Sequence, residues 1–333
     1  MRATEVELVR AIRKVLSGDA PGVVVGVGDD AAVLEPTRHQ GLVTADMLVE
    51  GVHFELGVTA AHDLGHKAIA VNVSDIAAMG GSPRYAVASV ALPPSIETAW
   101  VMELYGGMRE AATEYGLTVV GGDTTRGERA TVAVTVIGEV AKDRAVTRSG
   151  AMPGDVVAVT GTLGGSAGGL RIARTPDEER KGLLSTPWGR RLVGIHERPV
   201  ARVGEGQTLA AAGATAMMDL SDGLSLDLAR LCDESRVGAT VRLEDVPIAP
   251  GLPELASATG ADPLDLALNG GEDFELLVTL AKEAVEPARR RLDERYGTPL
   301  TEIGEIAEGA GVTAVGAGAT REPLEAKGWD HFG

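Results

Sequence analysis

Short apolar runs of strand length alternate with helical segments along almost the whole chain of 333 residues. The run at 156–160 reads VVAVT, which is typical of a buried strand. Residues 96–115 predict an amphipathic helix, because Val101, Leu104 and Met108 fall on one helical face. Such alternation is incompatible with all-helical and all-β folds and predicts an α/β (α+β) architecture.

The chain is long enough to form two domains of ordinary size. A polar stretch with glycine and proline at 148–154 is typical of a junction, so we expect one domain over 1–147 and another over 148–333. Strands are predicted at 42–45, 85–92, 132–140, 156–160, 214–220, 239–243 and 274–280. Helices are predicted at 64–78, 96–115 and 283–296, near Asp222, and after a glycine-rich turn that runs through Gly169.

The charge balance excludes one class of partner. The chain has 31 Lys and Arg residues against 48 Asp and Glu residues, a formal net charge of −17. Nucleic acid is bound by basic surfaces, so it is not expected as the main partner. Aromatic residues make up only 3% of the chain, which leaves few side chains for stacking on single-stranded bases. Acidic proteins still bind anions where metal ions lie between the carboxylates and the anion.

Several carboxylates stand beside glycines or at predicted strand ends. They are Asp29 and Asp30, Asp46, Asp75, Asp123, Asp219, Asp222, Glu272 and Asp273. Loops at strand ends hold functional groups on a rigid scaffold, and glycine lets a ligand approach the backbone. Such carboxylates bind hard cations such as Mg²⁺, which completes its shell with water and phosphate oxygens. Aspartate and glycine are also ordinary turn residues, so the whole set, and no single member, predicts a magnesium site.

Two glycine-rich motifs fit known patterns only in part. Residues 26–31 fit a dinucleotide-binding fingerprint, but Asp29 and Asp30 there would repel a pyrophosphate unless a metal intervened, which argues against a nicotinamide oxidoreductase. Residues 164–168 fit the G-x-S-x-G pattern of hydrolases. They lack the tight strand-to-serine junction of that pattern, which favours a flexible turn.

Two histidines have the spacing of a zinc site on a helix. His62 and His66 are separated by four residues, but Asp63 stands where the catalytic glutamate of that motif belongs. No further ligand is evident in the sequence. An ordinary exposed helix face is therefore expected.

The chain has one cysteine, Cys232, which excludes an internal disulfide and a cysteine-rich zinc site. The first ten residues carry Glu5 and Glu7 and have no apolar core, so no signal peptide is expected. No run of about 18 apolar residues occurs, so no membrane-spanning helix is expected. We therefore expect a cytoplasmic protein that does not bind membranes.

Two groups of motifs occur in a fixed order along the chain. Those that relatives share widely are Asn72-Val73-Ser74-Asp75 and Gly121-Gly122-Asp123. The more specific ones are Glu50-Gly51-Val52-His53-Phe54, Gly270-Gly271-Glu272-Asp273-Phe274 and Trp329 near the C-terminus. In this order and spacing they resemble the thiamine-monophosphate kinase family, and the resemblance runs from Ala3 to Phe332.

This resemblance implies the fold of aminoimidazole ribonucleotide synthetase and selenophosphate synthetase. In that fold an N-terminal α/β half binds ATP and magnesium and dimerises through its sheet, and a C-terminal α/β half covers the active site. It also implies the reaction ATP + thiamine monophosphate → thiamine diphosphate + ADP, by direct in-line transfer with several Mg²⁺ ions. The expected partners are ATP, thiamine monophosphate and a second copy of the chain.

The resemblance also assigns roles to particular residues. It implies magnesium ligands at Asp30, Thr44, Ala45 (through its backbone), Asp46, Asp75, Asp123, Asp219 and Asp222. Among these, the residues expected to serve catalysis are Asp46, Asp75 and Asp219. It implies ATP contacts at Tyr105, Gly122, Asp123, Arg148 and Ser221. It implies contacts with thiamine monophosphate at His53, Glu272 and Trp329.

Alternatives remain at this point. The nearest is another ATP-dependent enzyme of the same superfamily, such as a purine-pathway cyclo-ligase or selenophosphate synthetase. Selenophosphate synthetase is expected to have a reactive cysteine or selenocysteine in an N-terminal glycine-rich segment, whereas Cys232 lies far from it. A non-catalytic metal-binding protein would use the same carboxylates. Without the resemblance, Trp329 would be interpreted as a hydrophobic plug.

Overall fold

The computed structural model describes residues 11–12, 14–16, 21–25 and 33–329. The chain divides into an N-terminal unit (Met1–Ile76 with Gly81–Asp143) and a C-terminal unit (Ala77–Gly80 with Arg144–Gly333). Within the described ranges, no helix combines the length and the hydropathy that crossing a membrane requires.

The N-terminal unit is built on a four-stranded sheet. Its elements are β1 (Val23–Val25), β2 (Val33–Leu34), β3 (Gln40–Val49), α1 (Ala61–Ala78), β4 (Ser82–Leu92), α2 (Thr98–Tyr115), β5 (Thr118–Arg126) and β6 (Thr131–Val140). The sheet has the strand order β3-β6-β4-β5, with β4 and β5 parallel and the other neighbours antiparallel. The last two residues of α1 belong to the C-terminal unit.

One face of this sheet is buried and the other is open. Alternate residues of the inner strand β6, including Val132 and Val134, are buried on the side where Ile76 of α1 packs against Gly138. On the other face of the edge strand β3, Val43 is 72% exposed and Met47 is 54% exposed. The period-two pattern therefore buries one face under helices and leaves an apolar face that no element of the described ranges covers.

The C-terminal unit is built on a larger sheet. Its strands are β7 (Val156–Thr160), β8 (Ala216–Asp219), β9 (Gly238–Arg242), β10 (Leu276–Leu280), β11 (Leu300–Ala307), β12 (Gly311–Val315) and β13 (Arg321–Pro323). Its helices are α3 (Gly165–Ala173), α4 (Asp177–Leu184), α5 (Pro187–Glu197), α6 (Val203–Ala211), α7 (Leu224–Ser235), α8 (Leu252–Thr259), α9 (Pro263–Asn269) and α10 (Lys282–Tyr296). One-turn 3₁₀ helices lie at Leu243–Asp245 and Ala317–Ala319. The strand order is β13-β12-β9-β11-β7-β10-β8.

Helices cover both faces of this sheet, so its central strands are buried and mostly apolar. Every residue of β7 and β10 is buried. Val157 packs in one core cluster with Leu228 of α7, whereas its neighbour Ala158 packs in another with Leu292 of α10. A strand buried on both sides loses the alternation of apolar and polar residues, which is why four consecutive apolar residues, VVAV, precede Thr160 in β7.

The predicted α/β architecture with two α/β halves is confirmed, but several local predictions are wrong. Asp46 does not end a strand, because β3 pairs with β6 as far as Val49. Asp123 does not follow a strand but lies within β5. Helix α3 begins before Gly169, whose lack of a side chain lets α5 approach: a Cβ there would lie 2.2 Å from the Leu192 carbonyl oxygen.

Candidate active site

Three of the predicted magnesium ligands meet between β3 and α1. The Thr44 hydroxyl donates to Asp75 Oδ2 at 2.5 Å. Asn72, almost one turn before Asp75, accepts the backbone N–H of Asp46 through Oδ1 at 2.9 Å. Asn72 also donates from Nδ2 to the Ala68 carbonyl at 3.0 Å, which fixes its amide orientation. Thr44 and Asp46 lie two residues apart on one face of the strand, so β3 and α1 place these oxygen ligands together.

His53 lies in the turn that follows β3. Its Nδ1 accepts the backbone N–H of Val49 at 3.1 Å, and its own backbone N–H donates to the Val49 carbonyl at 2.9 Å. Because Nδ1 accepts, the proton of the neutral ring is on Nε2, which makes Nε2 a hydrogen-bond donor. Gly51 takes the left-handed conformation at φ 81° that the turn requires.

A second group of predicted site residues, which comprises ATP contacts and one magnesium ligand, lies on β5 and α2. Tyr105 is buried, which raises its pKa, while a hydrogen bond with Thr124 lowers the pKa and the Asp123 charge raises it again. The phenol is therefore protonated at neutral pH. Gly122 packs closely against β4: a Cβ at this position would lie 1.9 Å from the Ala88 carbonyl oxygen. Tyr105, Gly122 and Asp123, three of the predicted ATP contacts, thus share one edge of the sheet.

The two groups are separated by the width of the sheet. Asp46 pairs with Val134, which pairs with Ala88, which pairs with Gly122, so three strand spacings or about 14 Å separate the edge strands. Asp123 follows Gly122 and faces the opposite side of the sheet from Asp46. The two carboxylates of one chain therefore cannot bind the same ion.

The other two predicted magnesium ligands of the N-terminal unit are Ala45 and Asp30. Ala45 is exposed on the open face of β3 and offers only its backbone. Asp30 lies outside the described residues, so its magnesium role stays a prediction.

In the C-terminal unit, one loop brings several predicted site residues together. Asp219 is buried at the end of β8, and Ser221 and Asp222 follow it. The Ser221 carbonyl accepts the backbone N–H of Glu272 at 2.8 Å, and the Asp222 carbonyl accepts that of Trp329 at 3.1 Å. The predicted magnesium, ATP and thiamine contacts of this unit thus meet at consecutive residues of a single turn.

The segment that carries Glu272 is strained. Glu272 has φ 66° and Phe274 has φ 51°, a conformation that side-chain-bearing residues rarely adopt. Gly271 packs against the turn so closely that a Cβ there would lie 2.6 Å from the Ser221 carbonyl oxygen. Strain of this kind is characteristic of functional sites held in place by their surroundings.

Asp222 is engaged by residues that the sequence interpretation missed. Arg230 contacts the carboxylates of both Asp222 and Asp227, the latter at 3.1 Å. Asp227 also accepts the backbone N–H groups of Asp222 and Gly223 through Oδ2 at 3.0 and 3.2 Å. Burial raises the Asp227 pKa to about 6. The Arg230 guanidinium therefore balances the charge of Asp222, for which the resemblance implies a magnesium role.

The tail that carries Trp329 is fastened to the start of α7. The Ser225 hydroxyl contacts the Lys327 carbonyl and donates to Asn269 Oδ1 at 2.7 Å. Gly328 lies against the turn, where a Cβ would be 2.6 Å from the Asp222 carbonyl oxygen. The Trp329 side chain is 44% exposed, which disagrees with a hydrophobic plug and leaves its ring accessible to a ligand.

Arg148 lies at the outer edge of β8. The preceding residue, Thr147, accepts the backbone N–H of Met217 at 3.0 Å, and the Arg148 carbonyl accepts the Ser235 hydroxyl at 3.0 Å. Met217 is two residues before Asp219 on the same strand. The exposed Arg148 is therefore anchored through its backbone beside the strand that ends at the site.

Sequence reasoning also missed the residues around Glu272 and Asp273. Asp273 accepts the backbone N–H groups of Gly164 and Ser166 at 2.6 and 3.1 Å, which ties its loop to the start of α3. Burial raises its pKa to about 7, although these hydrogen bonds act to lower it. His196 Nδ1 lies 3.3 Å from Glu272 Oε2 and 2.9 Å from the Ser166 hydroxyl. Ser166 lies in α3, so the flexible turn predicted at the G-x-S-x-G pattern is wrong.

The donor chemistry fits magnesium. Among the residues that the structure describes, no three His, Cys, Asp or Glu side chains gather into a metal cluster. Magnesium requires no such cluster, since it binds through one or two carboxylates together with water and phosphate oxygens. Thr44, Asp46 and Asp75 offer oxygen ligands only, which suits magnesium better than zinc. The residues therefore fit an ion that arrives with a nucleotide.

Comparisons with known proteins identify the family of the chain. The family described as AIR synthase related protein matches by its N-terminal domain over residues 28–140 and by its C-terminal domain over 152–316. A thiamine-monophosphate kinase of Bacillus subtilis (strain 168) is 37% identical over 314 residues, 93% of this chain and 94% of that protein.

Two solved structures are similar along nearly the whole chain. Thiamine-monophosphate kinase from Stenotrophomonas maltophilia K279a has a TM-score of 0.79 at 37% identity, covering 92% of this chain and 94% of that one. AaThiL complexed with AMPPCP and TMP has a TM-score of 0.78 at 35% identity, covering 100% of this chain and 99% of that one. With both domain matches and this identity over its length, the chain belongs to the thiamine-monophosphate kinase family.

Proposed function

We propose that this protein transfers the γ-phosphoryl group of ATP to thiamine monophosphate, forming thiamine diphosphate and ADP in thiamine diphosphate biosynthesis. The observation that carries the proposal is the convergence of Asp222, Glu272 and Trp329 on one turn, in a chain that aligns throughout with thiamine-monophosphate kinases. AaThiL has been solved with AMPPCP and TMP, which supports the same pair of substrate classes here.

The Trp329–Glu272 side of the turn is suited to a thiamine phosphate. The exposed indole of Trp329 offers a π face to the cationic thiazolium ring. The Glu272 carboxylate accepts hydrogen bonds or neutralises positive charge on the same substrate. His53 would donate from Nε2 to its phosphate.

Phosphoryl transfer here requires alignment more than proton abstraction. A phosphate oxygen of thiamine monophosphate forms the new bond to the γ-phosphorus, and the bond from that phosphorus to the β–γ bridging oxygen breaks, leaving its electron pair on ADP. The attacking oxygen already carries negative charge, so no strong general base is needed. Binding both phosphates in line supplies most of the rate enhancement.

On the ATP side, the proposed contacts are Tyr105, Gly122, Asp123, Arg148 and Ser221. The protonated Tyr105 phenol and the Arg148 guanidinium are donors to acceptor oxygens of the nucleotide. Gly122 has no side chain, which permits close approach of the nucleotide to its backbone. Charge-assisted contacts of this kind hold the γ-phosphate in position.

We propose Mg²⁺ as the cofactor, held by Thr44, Asp46 and Asp75 in the N-terminal unit and by Asp219 and Asp222 in the C-terminal unit, with Asp30, Ala45 and Asp123 as further ligands. When bound, magnesium neutralises phosphate charge and stabilises the charge that develops during transfer. Asn72 orients Asp46, and Thr44 orients Asp75. Asp46, Asp75 and Asp219 are the residues whose loss should most reduce turnover.

Two other features support a proposed assembly and location. We propose a homodimer formed through the open face of the N-terminal sheet, where Val43 and Met47 are exposed. In this arrangement residues 1–147 bind ATP and magnesium and dimerise, while 148–333 complete the site. A cytoplasmic location suits a chain whose one cysteine, Cys232, is buried and unbridged, and whose co-substrate is ATP.

The test is direct turnover with separated products. Purified protein, ATP, MgCl₂ and thiamine monophosphate should yield thiamine diphosphate and ADP in equal amounts. A panel of phosphate acceptors and of substrates for the related synthetases distinguishes this activity from the superfamily alternatives. Absence of thiamine diphosphate under saturating conditions would refute the proposal.

A further inference from the structure

A buried histidine lies behind the strained Glu272. His196 is the next-to-last residue of α5 and is only 4% exposed. Its Nδ1 lies 2.9 Å from the Ser166 hydroxyl at the start of α3 and 3.3 Å from Glu272 Oε2. Helices α3 and α5 therefore meet at the side chain of a residue expected to contact the substrate.

The geometry excludes a nucleophilic triad. In a triad the two ring nitrogens contact different partners, the hydroxyl on one and the carboxylate on the other. Here both contacts involve Nδ1, and Ser166 is fully buried. Ser166 is therefore not a nucleophile.

The same geometry suits a fixed carboxylate. An ionised Glu272 only accepts, so Nδ1 carries the hydrogen that faces it, and the Ser166 oxygen is the second acceptor of that N–H. The ring is oriented by packing as well as by this contact, since a Cβ at Gly169 would lie 2.8 Å from His196 Cβ. The imidazole therefore holds Oε2 at one place.

Glu272 needs such support because its backbone is in an unfavourable conformation. Its φ of 66° is maintained by the hydrogen bond to Ser221 on one side and by the tie from Asp273 to α3 on the other. These backbone contacts fix the position of Cα, whereas the side-chain torsion angles of Glu272 depend on contacts of the carboxylate itself. The contact from His196 restricts those angles before the substrate arrives.

We propose that His196, oriented by Ser166, is a positioning residue that holds the Glu272 carboxylate in place for the thiamine portion of the substrate. The inference rests on the proposed function, since it deepens the role of Glu272. His196 makes no bond to the reacting atoms. Its loss should raise the KM for thiamine monophosphate and leave the KM for ATP nearly unchanged.

The test compares two substitutions that differ in where they place an amide. In His196→Asn the side-chain amide lies near the position of Nδ1, whereas in His196→Gln it reaches toward the position of Nε2. His196→Gln should raise the KM for thiamine monophosphate about tenfold or more, and His196→Asn should stay within about threefold of wild type. The kcat at saturating substrate should change less than the KM in both variants.

Two controls separate positioning from general damage. His66→Leu removes another buried histidine, whose Nε2 lies 3.4 Å from Glu114 in the N-terminal unit, and should leave the KM for thiamine monophosphate unchanged. In a Glu272→Gln background, adding His196→Gln should change this KM by less than about twofold, because the partner is already altered.

Two results overturn the inference while the proposed function stands: equal KM values for His196→Asn and His196→Gln, or a full additional KM increase in the Glu272→Gln background. If wild-type protein forms no thiamine diphosphate, the proposed function fails and this inference fails with it. The wild-type assay therefore distinguishes the two kinds of failure.

Discussion

The backbone N–H of Trp329 donates to the carbonyl oxygen of Asp222 at 3.1 Å. A residue near the end of the chain is thereby bound to the turn that follows β8, more than a hundred positions earlier. The contact depends on Gly328, because any side chain there would collide with the same carbonyl. The position of the indole relative to Asp222 is thus fixed by main-chain geometry.

Gly328→Ala should displace Trp329 and raise the KM for thiamine monophosphate about tenfold. The reason is steric, since the added Cβ would lie 2.6 Å from the Asp222 carbonyl oxygen and 2.7 Å from Leu226 Cβ. Initial rates at varied thiamine monophosphate measure the effect. Gly182→Ala on α4 is the matched control, because a Cβ there meets nothing within 4 Å. An unchanged KM in Gly328→Ala would show that the tail does not position the substrate.

Asp46→Asn should reduce kcat by about a hundredfold or more, because it removes a negative charge from the group of oxygen ligands beside Asp75. Asn72 accepts the backbone N–H of residue 46, so the local backbone should survive the substitution. Turnover over a range of MgCl₂ concentrations and thermal unfolding measure both effects. The exposed Glu128→Gln is the control and should behave as wild type. Full activity of Asp46→Asn would remove this residue from the magnesium site.

Arg202→Met should lower the free energy of unfolding by about 3 kcal/mol, because it leaves the Glu275 carboxylate buried without its cation. Arg202 donates to both carboxylate oxygens, from Nε at 2.8 Å and Nη2 at 2.6 Å. Urea unfolding measures the free energy of unfolding of the wild type and of each variant. Lys181→Met, which breaks an exposed pair with Glu178, should cost less than about 0.5 kcal/mol. Equal costs for the two variants would mean that the Arg202 pair is effectively solvated.

Asp273→Asn should flatten the pH dependence of stability. Burial raises the Asp273 pKa to about 7 from an ordinary value of 3.8, so the folded chain holds a proton that the unfolded chain releases between these pH values. The free energy of unfolding therefore falls as pH rises from about 4 to 7. Urea midpoints at pH 5, 6, 7 and 8 should show a smaller slope in Asp273→Asn.

The absolute stability of Asp273→Asn is expected to be lower as well, because one amide oxygen replaces two carboxylate oxygens that accept from Gly164 and Ser166. The relevant quantity is therefore the change of the urea midpoint with pH, and not the absolute value of the midpoint. Asp233→Asn, an exposed substitution, should keep the wild-type slope. A wild-type slope in Asp273→Asn would show that Asp273 is ionised throughout this range.

Val43→Glu should weaken a dimer built on the open sheet face, because pairing would bury a carboxylate among Met47 and its neighbours. Light scattering after size-exclusion chromatography should show dimers for wild type and monomers for the variant at micromolar concentration. Val200→Glu, a 47% exposed position in the C-terminal unit, should remain dimeric. A dimeric Val43→Glu protein would place any interface elsewhere.

The sequence predicted the fold where periodicity is strong. The predicted strand at 156–160 is observed at Val156–Thr160, because a strand buried on both faces shows as a short run of mainly apolar residues. Predictions based on glycine were weaker. Glycines at 121–122 and 168–169 indicated turns, but they lie within β5 and α3, where they permit close approach of Ala88 and Leu192.

The candidate site was predicted where its residues stand in recognisable motifs, as with Asp75, Glu272 and Trp329. Its supporting residues could not be found in this way. His196 lies on α5 and Arg230 on α7, and their sequence neighbourhoods have no pattern that links them to Glu272 or Asp222. Such contacts are created by tertiary packing, so they are found only in the folded structure. Asn72 is the exception, because it belongs to the same motif as Asp75.

The pairing of β7 has a consequence for how the chain is made. This strand ends at Thr160, yet it lies between β10 and β11, which begin at Leu276 and Leu300. At typical rates of translation, β7 is synthesised roughly 6 to 24 seconds before its first neighbour β10. The four-stranded sheet is complete by Val140, so during that interval a finished sheet precedes a bare apolar strand on the nascent chain. Chaperones that bind extended apolar segments should therefore meet this protein at β7.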